Sequence, residues 1–184
     1  PVGTVNIGTL AFFYSGGMTG NFSIHSLPES LEEIGVGAFM LSILNSINIP
    51  ENVKKISYDL QGQYMPTFYV CPFLQEINVA DTNTEYASQD GVLFNKDMTY
   101  LLQFPNGCQI AEYEMPDSVT AISPAAFTQQ ESSVEYKLKK LKCSSNLQFI
   151  GSLAFQSNYT ITEINLPITL QTVADYAFDN AIAI

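Results

Sequence analysis

The residues able to do chemistry in this chain are few, and their spacing argues against most reactions. A single histidine stands at position 25, beside Ile24. With no second imidazole, a hydrolytic triad would have to use His25 alone, and its place in the pattern fits a partly buried structural side chain better. Cys71, Cys108 and Cys143 form no even set and match no zinc spacing. Cys71 and Cys143 fall at apolar positions, where a thiol serves as packing. Asp81, Glu85, Asp90 and Asp97 lack the spacing of an EF-hand loop and sit among ordinary turn residues, so no metal or cofactor is expected. Gly16-Gly17 followed by Met-Thr-Gly reads as a turn and not as a phosphate-cradling loop. Glu112 and Glu114 lie two apart, hence on one face of an extended strand, and form the carboxylate pair through which acid/base work on a glycan could run. The neighbouring unit is basic, and no catalytic residue is assigned. Tyr58, Tyr64 and Tyr69 crowd one stretch and could form a sugar platform; packing into a gap in the core is the reading preferred for such rings.

Charge narrows the partners. The chain has 184 residues, 18 of them acidic against 7 basic, for a net −11, and every basic residue is lysine. Nucleic acid, which wants a positive footprint and arginine forks, is not an expected ligand. Anionic membrane surfaces would repel the chain, and no apolar run reaches the length needed to span a bilayer. Four of the lysines form the run Lys137-Leu-Lys139-Lys140-Leu-Lys142. With 14% charged and 46% hydrophobic residues, the exposed surface must be largely Ser, Thr, Asn, Gln and Tyr, as in a secreted β-rich protein.

What positions these residues is a repeat. Counted from Pro28, Leu31, Ile34, Gly35, Ala38 and Phe39 follow at fixed offsets. The phrase recurs from Pro116 (Val119, Ile122, Ala126, Phe127), Ser144 (Leu147, Ile150, Gly151, Ala154, Phe155), Pro167 (Leu170, Val173, Ala177, Phe178) and Pro1 (Ile7, Gly8, Ala11, Phe12). The Ala-Phe pair lies at offsets 10 and 11 in all five copies. Upstream, offsets −1, −3 and −6 are apolar: Leu166, Ile164 and Ile161, then Cys143, Leu141 and Leu138, then Met115, Tyr113 and Ile110. A period of two predicts a strand, ended by a proline that cannot donate to a ladder. One such unit cannot bury its own apolar face; stacked, the strands make a parallel sheet and the Ile, Ala and Phe form ladders. Gly at offset 7 is expected to permit a close turn or an unusual backbone angle.

In-register stacking has a consequence for charge. At offset −4 successive units carry Glu112, Lys140 and Glu163; at offset −2 they carry Glu114, Lys142 and Asn165. These become cross-strand neighbours in rows of opposite charge on the open sheet face. Two breaks interrupt the pattern. The unit from Pro50 keeps Val53 and Ile56 but lacks Ala-Phe, with Phe68 and Cys71 appearing later, so an insertion is expected near 58–69. A second, near 81–105, holds Val92–Phe94 and Tyr100–Phe104, which read as two strands around a turn.

The phrase L-x-x-I-x-L-P-x-x-V-x-x-I-G-x-x-A-F resembles the BspA-type leucine-rich repeats of bacterial surface proteins, over essentially the whole chain. The resemblance implies a single domain over 1–184, a leucine-rich-repeat solenoid of about seven units. It is expected as one open β-rich coil with a parallel sheet on one face, short strands, turns and single helical turns on the other, and one hairpin insertion. It also implies a secreted or cell-surface interaction module that is not an enzyme, adhering to a host matrix protein or another bacterial surface. Pro1 falling inside a repeat, with no signal peptide before it, is what a trimmed or a mature fragment would show. In such a protein the acceptor patterns Asn21-Phe-Ser and Asn158-Tyr-Thr carry no weight. The candidate ligand-binding residues are Glu112, Glu114, Lys140, Lys142, Glu163 and Asn165, with Tyr64 and Tyr69 for the alternative of a glycan partner. An inert repeat spacer is the remaining alternative.

Overall fold

A computed structural model describes residues 3–16, 26–57, 66–130 and 136–181. Its strands are short. In chain order they are β1 (Asn6–Ile7), β2 (Glu33–Ile34), β3 (Ser46–Ile49), β4 (Lys55–Ile56) and β5 (Glu76–Val79). Then come β6 (Tyr86–Gln89), β7 (Val92–Asn95), β8 (Tyr100–Gln103), β9 (Glu112–Glu114) and β10 (Ala121–Ile122). The last are β11 (Lys140–Lys142), β12 (Phe149–Ile150), β13 (Glu163–Asn165) and β14 (Thr172–Val173).

These strands stack as a coil with two parallel columns. The first holds the pair β3-β5 and the trio β9-β11-β13; the second holds β1-β2-β4 and, farther along, β8-β10-β12-β14. Apart from β8, each second-column strand is the residue pair at offsets 5 and 6; the offset-6 side chains Ile7, Ile34, Ile56, Ile122 and Ile150 are buried, while Val173 in the last coil is exposed.

The expected single helical turns are not found among the described residues. The Ala-Phe segment instead makes overlapping turns whose alternate amides serve two purposes. Ala38, Met40 and Ser42 donate back to Gly35, Gly37 and Phe39, while Phe39 and Leu41 donate to Thr67 and Tyr69 of the next coil. A helix would spend every amide within its own turn; here half of them bind coil to coil.

The turn requires a left-handed residue at offset 9, where Leu10, Gly37, Ala125, Leu153 and Tyr176 have φ of 57°, 57°, 55°, 59° and 58°. The glycine at offset 7 plays the other role, close approach: a Cβ on Gly151 would stand 2.5 Å from the Pro124 nitrogen of the preceding coil.

Seven phenylalanines fill the core in two stacks. Phe12, Phe39 and Phe68 lie at 5.2 and 5.7 Å with ring planes within 3°. Phe104, Phe127, Phe155 and Phe178 follow at 5.0, 4.9 and 4.9 Å. Phe68 therefore takes the ladder position that the Pro50 unit lacked. Thr67 replaces alanine beside it, its hydroxyl donating to the carbonyls of Gly35 and Ser57.

The second break is larger than the expected hairpin. β7 pairs antiparallel with β8 and also with β6, so three strands form a meander that joins the second column through β8. It also interrupts the first column: on the edge of β5, the Ile77 amide donates to the Gly91 carbonyl and the Val79 amide to the Ser88 hydroxyl. Residues of the meander reach two separate cores, Leu93 and Leu102 facing the N-terminal one, Val92, Phe94 and Leu101 the C-terminal one. No helix among the described residues is long and apolar enough to cross a membrane.

Candidate functional site

The trio β9-β11-β13 places the charged residues. Each strand alternates, with Tyr113, Leu141 and Ile164 turned inward and the residues on either side exposed. The register sets Lys140 between Glu112 and Glu163, and Lys142 between Glu114 and Asn165. Lys140 Nζ lies 3.1 Å from Glu112 Oε1 and 3.9 Å from Glu163 Oε2, and Lys142 Nζ lies 2.5 Å from Glu114 Oε1. Hydrogen bonding to Glu112 and to Glu114 is the main cause that raises the pKa of Lys140 and Lys142, so both stay charged. The two rows predicted from the offsets are thus present, as an exposed lattice of both signs.

Chemically the lattice favours recognition over reaction. Each glutamate faces a lysine across the strands. Tyr69, the one described member of the tyrosine cluster, is half-buried and donates its hydroxyl to Gln156 Oε1 at 3.1 Å. Burial raises its pKa, and its hydroxyl acts as a strut along the turn edge. Tyr58, Tyr64 and His25 lie outside the described residues. Asn158 is buried, with its amide donating to the Phe127 carbonyl and its Oδ1 accepting from the Thr160 and Ile161 amides, which leaves nothing for a glycan. Among the described residues no three His, Cys, Asp or Glu side chains group to hold a metal ion.

Another charged row had escaped the sequence reading. On the second column Lys55 Nζ meets Glu33 Oε1 at 2.6 Å, and Asn6 Nδ2 donates to Glu33 Oε2 at 3.2 Å. All three occupy offset 5, so the arithmetic that gave the first rows would have given this one.

The cysteines are core residues. Cys71 Sγ donates to the Phe39 carbonyl at 3.0 Å, and burial pushes its thiol, like that of Cys143, up to about 12. Because the folded values lie above the ordinary one of 9.0, this contribution to stability is complete below pH 9 and is lost as pH rises toward 12. The unfolding free energy measured in urea is expected to fall between pH 9 and 11, by up to about 1.4 kcal/mol per pH unit for each thiol. Cys71→Ala/Cys143→Ala should flatten that slope; an unchanged slope would contradict the assignment.

The sequence profile of the BspA type leucine rich repeat region matches residues 5–98 and 102–184, in six copies. The chain belongs to the BspA-type leucine-rich repeat family. Solved structures that resemble it include bacterial proteins. The pneumococcal vaccine antigen PcpA is 28% identical with a TM-score of 0.65, the match covering 90% of this chain and 43% of that one. A leucine rich cell surface protein from Faecalibacterium prausnitzii shares the fold with a TM-score of 0.74 at 22% identity, over 100% of this chain and 50% of that one. A leucine-rich repeat protein from Eubacterium ventriosum shares it at 20% identity and 0.65, over 96% and 55%. This BspA-type chain therefore spans about half the length of the solved proteins it matches. No curated protein sequence matches it.

Proposed function

We propose that this BspA-type repeat is a non-enzymatic interaction module, secreted or displayed on a cell surface, that adheres to an extracellular host protein or to another bacterial surface. The observation that carries the reading is the lattice of Glu112, Lys140, Glu163, Glu114, Lys142 and Asn165, held at fixed strand spacing and open to solvent. Side chains so placed present both charge signs and amide hydrogen bonding to a flat partner, and such polar contacts give specificity and fast association more than raw affinity. Family membership supports a protein-binding repeat. The cell-surface protein of F. prausnitzii and the pneumococcal antigen are consistent with a surface location.

The test is retention of the purified chain on an array of extracellular-matrix proteins and on an array of glycans. A matrix protein should retain the wild type, and Lys140→Glu/Lys142→Glu should lower that affinity at least about tenfold, the loss expected when like charges are brought face to face. Binding confined to glycans and abolished by Tyr64→Ala/Tyr69→Ala would overturn the reading in favour of sugar recognition. Silence on both arrays would leave a spacer.

A further inference from the structure

The two strands of the first column that lie before the meander end at an open groove of about 360 Å³, within the range of ligand sites. Ser26, Asn48 and Asn78 stand at offset −2 of three successive coils, and Ile49 and Val79 follow them in the lining, with Glu29 on the rim. Asn48 and Asn78 are paired in register, and neither side chain is hydrogen-bonded to another described residue. Each amide therefore offers both a donor and an acceptor to whatever enters.

The charge at this groove differs from the lattice on β9-β11-β13. Offset 1 carries Glu29, Glu51 and Asp81 in the three coils here, all exposed, but Asp117, Ser145 and Ile168 in the later ones. Glu51 accepts from the Thr82 hydroxyl at 2.9 Å, and among the described residues none of these three carboxylates has a lysine partner. Glu33, Glu112, Glu114 and Glu163, by contrast, are all paired with lysine. Lys96 Nζ donates to the Asp81 carbonyl at 3.3 Å, so Glu29 and Glu51 are the part of this rim unpaired with lysine, and carboxylates beside an apolar floor suit a cation on a hydrocarbon stem. Among the described residues no ligand set groups here for a divalent ion, and no aromatic side chain lines the groove for a sugar to stack on.

We propose that this groove takes a lysine- or arginine-bearing extended segment of a partner protein. The stem lies on the half-buried Val79 and Ala80, the cation reaches Glu29 with Glu51 beside it, and the amides of Asn48 and Asn78 bind the segment's backbone. This extends the interaction role to a second surface and holds whether or not the charged lattice also binds.

The probe is the blocked peptide acetyl-Gly-Arg-Gly-Lys-Gly-amide, titrated into the full chain labelled with nitrogen-15. The side-chain amide signals of Asn48 and Asn78 and the backbone signals of Ile49 and Val79 should move together. The same peptide with citrulline and acetyl-lysine should leave them still. Glu29→Gln/Glu51→Gln should weaken binding about fivefold or more, while Asp117→Asn/Asp175→Asn, which removes the same charge outside both the groove and the lattice, should change it less than about twofold. Equal weakening by both pairs would mean attraction to a chain of net charge −11 without a site, and would overturn the proposal. So would signals that do not move, or that move for neutral cellotetraose and not for the peptide. Because Lys140→Glu/Lys142→Glu leaves this groove intact, its effect on matrix binding is read separately.

Discussion

Replacing Phe155 with alanine should cost about 3–5 kcal/mol of unfolding free energy, the range for a buried aromatic truncated to Ala. Its ring is fully buried and stacked at 4.9 Å on both Phe127 and Phe178, so the deletion opens a cavity and removes two ring contacts. A solenoid holds each coil only through its neighbours, and the loss should pass to the coils on both sides. Phe178→Ala, at the half-buried end of the same stack, should cost less. Urea unfolding followed by far-ultraviolet circular dichroism measures both. A loss below about 1 kcal/mol at Phe155 would show that the phenylalanine stack is not what holds the coils together.

Gly151→Ala should be nearly as damaging for a different reason. The added Cβ would stand 2.5 Å from the Pro124 nitrogen and 2.8 Å from the Ser123 carbonyl carbon, both backbone atoms that cannot swing away. The coils must part, at a cost of about 2 kcal/mol or more. Gly8 occupies the same offset, and a Cβ there meets nothing within 4 Å, so Gly8→Ala should stay within about 0.5 kcal/mol of wild type. Equal effects at the two positions would mean that the glycine serves backbone conformation and not close approach.

The ladders, the strand register and the charge rows were legible because each depends on counting along a fixed period. Glu112, Lys140 and Glu163 are cross-strand neighbours by their offsets alone. Features that break the period were harder to see. Phe68 restores the aromatic stack, but the residues between Ile56 and Thr67 put it out of step with the count. The meander's first strand, Tyr86–Gln89, reads Tyr-Ala-Ser-Gln and is neither buried nor alternating. Its signal was the dipeptide Asp90-Gly91, whose φ values of 54° and 76° make the two-residue turn that such a pair favours. The left-handed residue at offset 9 is Leu, Gly, Ala, Leu and Tyr in successive copies, and of these only Gly37 would suggest a positive φ from its type. The groove at Asn48 and Asn78 depends on how three coils end side by side, which no single unit reveals.

The claim that matters most is that the charged lattice reads a partner and does more than align strands. A charge exchange separates the two roles. Lys142→Glu alone breaks the contact with Glu114, and adding Glu114→Lys restores an opposite-charge pair displaced by one strand, about 4.8 Å. Affinity for the matrix protein that retains the wild type, measured by biolayer interferometry beside the thermal midpoint, is the deciding measurement. The account predicts that the exchanged chain melts within about 3 °C of wild type yet binds at least about tenfold more weakly. Full recovery of binding in the exchanged chain would contradict it, and would leave the lattice a device for strand register alone.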